Sequence, residues 1–222
     1  MEEGRPALIV VDMQHYYLQK TSAYWAYFNA LQPGCLDYIA NRCETIVIPN
    51  IRLLLQVFRS SSLPPVFLRL CGKDPDRTDL HRFFRDSYTR GKRAGFDGVY
   101  PLADEPDAAV VGPIMPLPGE TVIDKTTFSP FTGTGIDGIL RGMGVSTLLF
   151  TGLATSQCVE TTARDASDRG YRVIQVEDAQ ADYDEASHIH SLCSSQGVCG
   201  GHVVSTGDII HRGVPAVEGD IR

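Results

Sequence analysis

The chain has 222 residues, 43% of them hydrophobic and 21% charged, the make-up of one soluble α/β domain with a sizeable core. Its formal net charge of −7 argues against a partner such as nucleic acid or an anionic membrane surface, which calls for net basic charge. No apolar run approaches the roughly 20 residues of a membrane helix, and the opening MEEGRPALIVVDMQ lacks a signal-peptide pattern, so a cytoplasmic protein is expected.

ALIVVDM, from Ala7, is a bounded, β-branched run that reads as a buried strand. Residues 41–60 read as a helix, with Ile51, Leu54, Leu55 and Phe58 on one face and Pro49 marking its first turn or a kink. Pro64-Pro65 stops it, and VFLRL is the second strand. Residues 71–118 then break the rhythm as an irregular excursion rich in arginine, lysine, aspartate and aromatic residues. That stretch reads first as a solvated charged surface. Its alternative is a lid that places an arginine over a substrate site, or a subunit contact. TVIDK is a third strand, residues 138–141 belong to a short helix, and STLLFTG is a fourth strand followed by a helix over 158–169. YRVIQV is a fifth strand, residues 184–195 a helix, and HVV a short last strand. Strands alternating with helices predict a single-domain, Rossmann-like three-layer α/β sandwich around a mostly parallel sheet, spanning residues 1–222.

The six cysteines, Cys35, Cys43, Cys71, Cys158, Cys193 and Cys199, are too thinly spread for a disulfide framework and read as reduced thiols. Cys193, Cys199 and His202 do not have structural-zinc spacing, and no metal is expected. Residues 133–138 match G-x-G-x-x-G. Seven residues separate that match from the preceding strand, and no acidic residue ends the next one, so it does not read as a dinucleotide site.

The stronger signal lies where strands end, because ligands of open parallel sheets bind beyond the carboxyl ends of the strands. Asp12 ends the first run, Lys125 ends TVIDK, and Cys158 follows STLLFTG at the start of a helix. Brought together, the ammonium and the helix N-terminus favour a thiolate, and the carboxylate can take the thiol proton.

These residues lie in segments that resemble the isochorismatase-like cysteine hydrolases, a family that includes nicotinamidases and the N-carbamoylsarcosine, biuret and ureidoacrylate amidohydrolases. The resemblance rests on VVDMQ at 10–14, DKTTFSPF at 124–131, TGLATSQCVETTARDASDRGY at 151–171 and ADYDEASH at 181–188. It implies that Cys158 is the nucleophile, Asp12 the general base and Lys125 the third member of a triad. It also implies a cis peptide before Ala154, turning that amide beside the Cys158 N–H as an oxyanion hole. The implied activity is hydrolysis of the C–N bond of a small amide, carbamoyl or ureido substrate through a thioester, without a cofactor, in a homo-oligomer (dimer or tetramer). A vinyl-ether hydrolase not using the thiol, or a non-catalytic binding protein on the same fold, are the alternatives. Nicotinamidases in this family carry a metal on an Asp-x-His element and a nearby histidine. Asp79-Leu80-His81 has the first spacing, but His81 is the one histidine between His15 and His188, which disfavours that site. Substrate-binding candidates are Gln14, the Phe128, Ser129, Phe131 and Thr132 loop after Lys125, and Gln157; Tyr16 and Tyr17 are pocket wall or packing.

Overall fold

Six strands form one all-parallel sheet in the computed structural model, which describes residues 5–196 and 201–214. They are β1 (Arg5–Val11), β2 (Pro65–Leu70), β3 (Thr121–Lys125), β4 (Val145–Leu153), β5 (Arg172–Ala181) and β6 (His202–Val204), in the spatial order β3-β2-β1-β4-β5-β6. Residues Ala7 to Val11 of β1 are all buried. That is why this strand reads as an unbroken apolar run: a central parallel strand is covered on both faces. Chain order reverses between β1 and β4, which opens a crevice beyond their carboxyl ends.

The helices are α1 (His15–Leu18), α2 (Ala23–Leu31), α3 (Asp37–Arg42), α4 (Ile48–Ser60), α5 (Arg82–Arg93), α6 (Ile136–Gly142), α7 (Glu160–Asp168), α8 (Glu185–Ser195) and α9 (Thr206–Arg212). Helix α4 packs on β1, β2 and β5 together with α9, whereas α6 and α7 contact β4 and β5. Right-handed crossovers on either side of the reversal place these two groups on opposite faces.

The helix predicted over 41–60 is a longer path. Helix α3 begins at Asp37, and a π turn over Cys43–Val47 joins it to α4. Pro49 explains the join, because it lacks the N–H that would bond to the Thr45 carbonyl, and the helix widens at that point. Cysteine 158 likewise lies in a π turn, Thr155–Val159, ahead of α7.

The 71–118 excursion is more ordered than expected. It holds the twelve-residue α5, capped by the His81 ring and buried along Phe84, Ser87, Tyr88 and Gly91, a helical face masked in the sequence by its charges. Helix α2 also went unread: AYWAYFNAL buries Tyr24, Trp25 and Tyr27 and is capped by Ser22, whose hydroxyl accepts from the Trp25 N–H at 3.1 Å. Among the described residues no helix is long and apolar enough to cross a membrane. Cys199 lies outside the described residues, so the Cys193, Cys199 and His202 set is not seen whole.

Candidate active site

Three strand ends supply one buried cluster. Asp12 directly follows β1 in the left-handed region, at φ 51°, a conformation that a non-glycine residue adopts only when its surroundings enforce it. Lys125 is the last residue of β3, and Cys158 sits four residues beyond Ala154, where β4 gives way to the π turn. The Lys125 ammonium donates to Asp12 Oδ2 at 2.9 Å, to Cys158 Sγ at 3.3 Å and to the Thr127 carbonyl at 3.1 Å. All three of its protons are therefore directed. Lys125 is fully buried, Asp12 is 1% exposed and Cys158 5% exposed.

Burial governs the electrostatics of this cluster. It raises the Asp12 carboxyl above its ordinary range, with the Lys125 charge pulling it part of the way back. Burial opposes the charge on Lys125, yet Asp12 and Cys158 more than offset that, and its pKa rises. The Cys158 thiol is pushed up by burial and by the facing Asp12 carboxylate, against the pull of Lys125. Desolvation and the facing carboxylate thus oppose the thiolate that the ammonium favours.

The end of β4 also differs from expectation. No cis peptide occurs among the described residues, so the Leu153–Ala154 bond is trans. Gly152, the last but one residue of β4, stands at φ +101°, a region open to glycine. Hydrogen bonds to the Ala154 carbonyl come from the amides of Gln157 and Val159, on either side of Cys158.

The remaining candidates divide. Gln157 lines a cleft of about 570 Å³ together with Tyr24, Tyr100 and Tyr183. Phe128 packs against His81, Phe83 and Phe84, at centroid distances of 5.2, 5.8 and 4.6 Å, and so ties the loop after β3 to α5. Gln14 is wholly buried with its amide engaged by backbone: it donates to the carbonyls of Leu70 and Ala108 and accepts from the Leu70 N–H. Ser129 donates to Asp165 at 2.8 Å and accepts from the Phe131 N–H. Phe131 lies under the Arg169 guanidinium and beside Tyr171, at the far end of α7. Gln14, Ser129 and Phe131 thus serve the frame around the cluster.

The charged excursion supplies no arginine to the cleft. Arg77 is buried and bonds to the carbonyls of Tyr100 and Pro75 and to Glu105, which anchors the excursion to itself. Ala109 and Val111 are stitched onto residues 13–15 by backbone bonds. The Asp79 carboxylate accepts from the amides of Lys73 and Asp74, and the His81 ring caps α5, so both side chains of the Asp-x-His element have local structural partners.

Several residues around the cluster escaped the sequence reading. Asp182 is buried after β5 and accepts from the Ser156 N–H at 2.6 Å, bracing the loop that carries Cys158. The strand-end rule that flags Asp12 and Lys125 reaches Asp182 as well, once β5 is followed through EDAQA to Ala181. His188 bridges Thr155 Oγ1 at 2.8 Å and Arg42 at 3.0 Å. A guanidinium only donates, so His188 Nε2 accepts and the neutral ring gives its Nδ1 proton to Thr155. Burial and Arg42 lower the His188 pKa to about 4, in keeping with that tautomer. Tyr16 is fully buried, and neither its hydroxyl nor Asp12 Oδ1 has a hydrogen-bond partner among the described residues.

Residues 6–208 match the Isochorismatase domain family. The chain is 37% identical over 190 residues to the ureidoacrylate amidohydrolase RutB of Agrobacterium fabrum, covering 81% of this chain and 77% of that one. Among solved structures it resembles a cysteine hydrolase from Pseudomonas syringae pv. phaseolicola, with TM-score 0.74, 29% identity and coverage of 94% and 92% of the two chains. It also resembles the N-carbamoylsarcosine amidase of Thermoplasma acidophilum, with TM-score 0.65, 28% identity and coverage of 91% and 96%.

Proposed function

The chain belongs to the isochorismatase family, and from that premise we propose that it hydrolyses the C–N bond of a small amide, carbamoyl or ureido compound through a thioester on Cys158. The observation that carries this reading is the single ammonium of Lys125, directed at once to Asp12 Oδ2 and Cys158 Sγ inside a buried site.

Asp12 takes the Cys158 proton as the sulfur attacks the substrate carbonyl carbon. The transfer leaves the net charge of the cluster unchanged: carboxylate, ammonium and thiol become carboxylic acid, ammonium and thiolate. No charge has to enter or leave a desolvated site, so the raised thiol pKa is no obstacle to a transfer coupled to attack. The tetrahedral oxyanion forms beside the Cys158 amide; with the Leu153–Ala154 bond trans, the Ala154 amide is not assigned to it. The C–N bond then breaks, the departing nitrogen takes the proton from Asp12, and the acyl group remains on sulfur. Water, giving a proton to the Asp12 carboxylate, attacks the thioester carbonyl. The acid leaves, and Cys158 regains the proton from Asp12. Lys125 stays an ammonium throughout and stabilises whichever neighbour is ionised.

Ammonia release from nicotinamide, maleamate, biuret, N-carbamoyl amino acids and ureidoacrylate-like acids, with Cys158→Ala run beside the native chain, tests the proposal. Release that disappears in the variant is the expected result. Release that survives in Cys158→Ala would overturn the thioester route.

A further inference from the structure

The cleft of about 570 Å³ that reaches Gln157, the residue before the nucleophile, is within the size range of drug-sized ligand pockets. A ureido acid of a few heavy atoms would leave most of it unfilled. Its inner wall carries Tyr24, Phe28, Tyr100 and Tyr183, and its rim carries Leu31 and Phe83, which are 64% and 47% exposed.

Two of the three tyrosine hydroxyls of this wall, those of Tyr24 and Tyr183, are engaged with one another. Tyr183 bonds through its hydroxyl to both Tyr17 and Tyr24, the latter at 3.2 Å, which leaves ring carbon as much of what these residues offer a ligand. Among the described residues lining the cleft Asp184 alone is charged, and it is acidic. Its carboxylate caps α8 by accepting from the Ser187 N–H at 2.7 Å and from the Ser187 hydroxyl at 3.1 Å. A substrate carboxylate lying here would face that acid, and the cation nearest the wall, Arg90, whose charge acts on Tyr100, does not line the cleft.

We propose that this cleft holds the acyl portion of the substrate and selects an uncharged aryl or branched apolar group larger than a single six-membered ring. The inference rests on the hydrolytic reading above and adds the substrate class to it. It also sets the chain apart from relatives named for a small ureido acid. The scissile carbonyl faces Cys158, and the apolar group extends past Gln157 between α2 and the aromatic side of the excursion. Selectivity then comes from apolar area buried against the rings, so affinity grows with the size of that group.

Calorimetric binding to the Cys158→Ala variant of propionamide, benzamide, naphthalene-2-carboxamide and the anionic maleamate tests the proposal. The dissociation constant is expected to fall at least tenfold from propionamide to naphthalene-2-carboxamide, with maleamate the weakest. Phe28→Ala in the same background narrows that ratio, and Leu31→Ala at the exposed rim narrows it by a smaller factor should the first variant fold poorly. Equal constants along the series, or tightest binding of maleamate, would overturn the proposal. Ammonia release separates it from the hydrolytic reading. Size-dependent binding with no Cys158-dependent release would sink hydrolysis and leave the cleft assignment standing, whereas Cys158-dependent release with no preference for size would do the reverse.

Discussion

Replacing Gly152 with alanine places a Cβ 2.1 Å from the Val11 carbonyl oxygen and 2.7 Å from its amide nitrogen, both backbone atoms of β1. No side-chain rotation relieves a clash with backbone, so β1 and β4, the central pair of the sheet, must separate. The residue also stands at φ +101°, where an L side chain is strained. Strain of about 1–3 kcal/mol and overpacking of about 1–3 kcal/mol together give a loss of about 2–6 kcal/mol. For a chain of this length that is a fall in Tm of roughly 5–20 °C. Urea denaturation at pH 7, with a thermal melt alongside, measures it. The displacement acts on both halves of the Asp12, Lys125 and Cys158 cluster, since Val11 precedes Asp12 and Gly152 lies two residues before Ala154, so activity is expected to fall further than the folded fraction does. The control is Gly138→Ala in α6, where an added Cβ meets nothing within 4 Å and removing a helical glycine stabilises by about 0.5–1 kcal/mol. A Gly152→Ala protein within about 1 kcal/mol of native stability and fully active would refute the reasoning.

Lys125→Met leaves the Asp12 charge buried without its partner and is expected to destabilise by about 3–5 kcal/mol at neutral pH. Without Lys125, only the Cys158 and Leu70 hydrogen bonds remain to oppose burial, and the Asp12 pKa rises further. A carboxyl whose folded pKa is raised contributes stability that is lost as pH rises through that value, so the variant's deficit should shrink in acid; a deficit independent of pH contradicts this. His188 behaves in the opposite sense. Its folded pKa near 4 lies below the usual 6.5, so the unfolded chain takes up a proton first, and stability falls as pH drops from 6.5 to about 4. His188→Gln should flatten that part of a Tm-against-pH curve, and an unaltered slope would assign the loss to other groups. Tyr16→Phe removes a buried, unpartnered hydroxyl and should raise stability by roughly 1–3 kcal/mol, read as a higher urea midpoint. A lower midpoint would mean that the hydroxyl has a partner in solution.

Most of the sheet was legible because parallel strands covered on both faces write themselves as short apolar runs. VFLRL, TVIDK and STLLFTG fall on β2, β3 and β4 within a residue or two. What escaped did so for local reasons. Strand β5 continues past Val176 through Glu177 and Asp178, which fall where its register with β4 shifts between Gln175 and Gln180; an apolar run ends five residues early, at Val176. Helix α5 hid its buried face among arginines, and α2 carries so many aromatic residues that it shows little polar side. At the site, strand-end position brought Asp12, Lys125 and Cys158 to one place, since topology alone makes strand ends converge. Position along the chain could not tell that Gln14 and Ser129 would bond to the frame, that Phe131 would pack away from the cluster, or that the excursion would bring Tyr100 to the cleft. Those outcomes depend on side-chain partners from other elements.

Asp12, Lys125 and Cys158 come from the ends of three different strands, at sequence separations of 113 for the first two and 33 for the last two. No segment of the chain therefore contains the centre in miniature. Contacts of such long sequence separation close late in folding, because the loop entropy must be met before they form. During refolding, helical signal should return before hydrolytic competence. A nick or permutation anywhere between β1 and α7 tests whether the whole sheet can still close. In this architecture turnover is a reporter of completed folding.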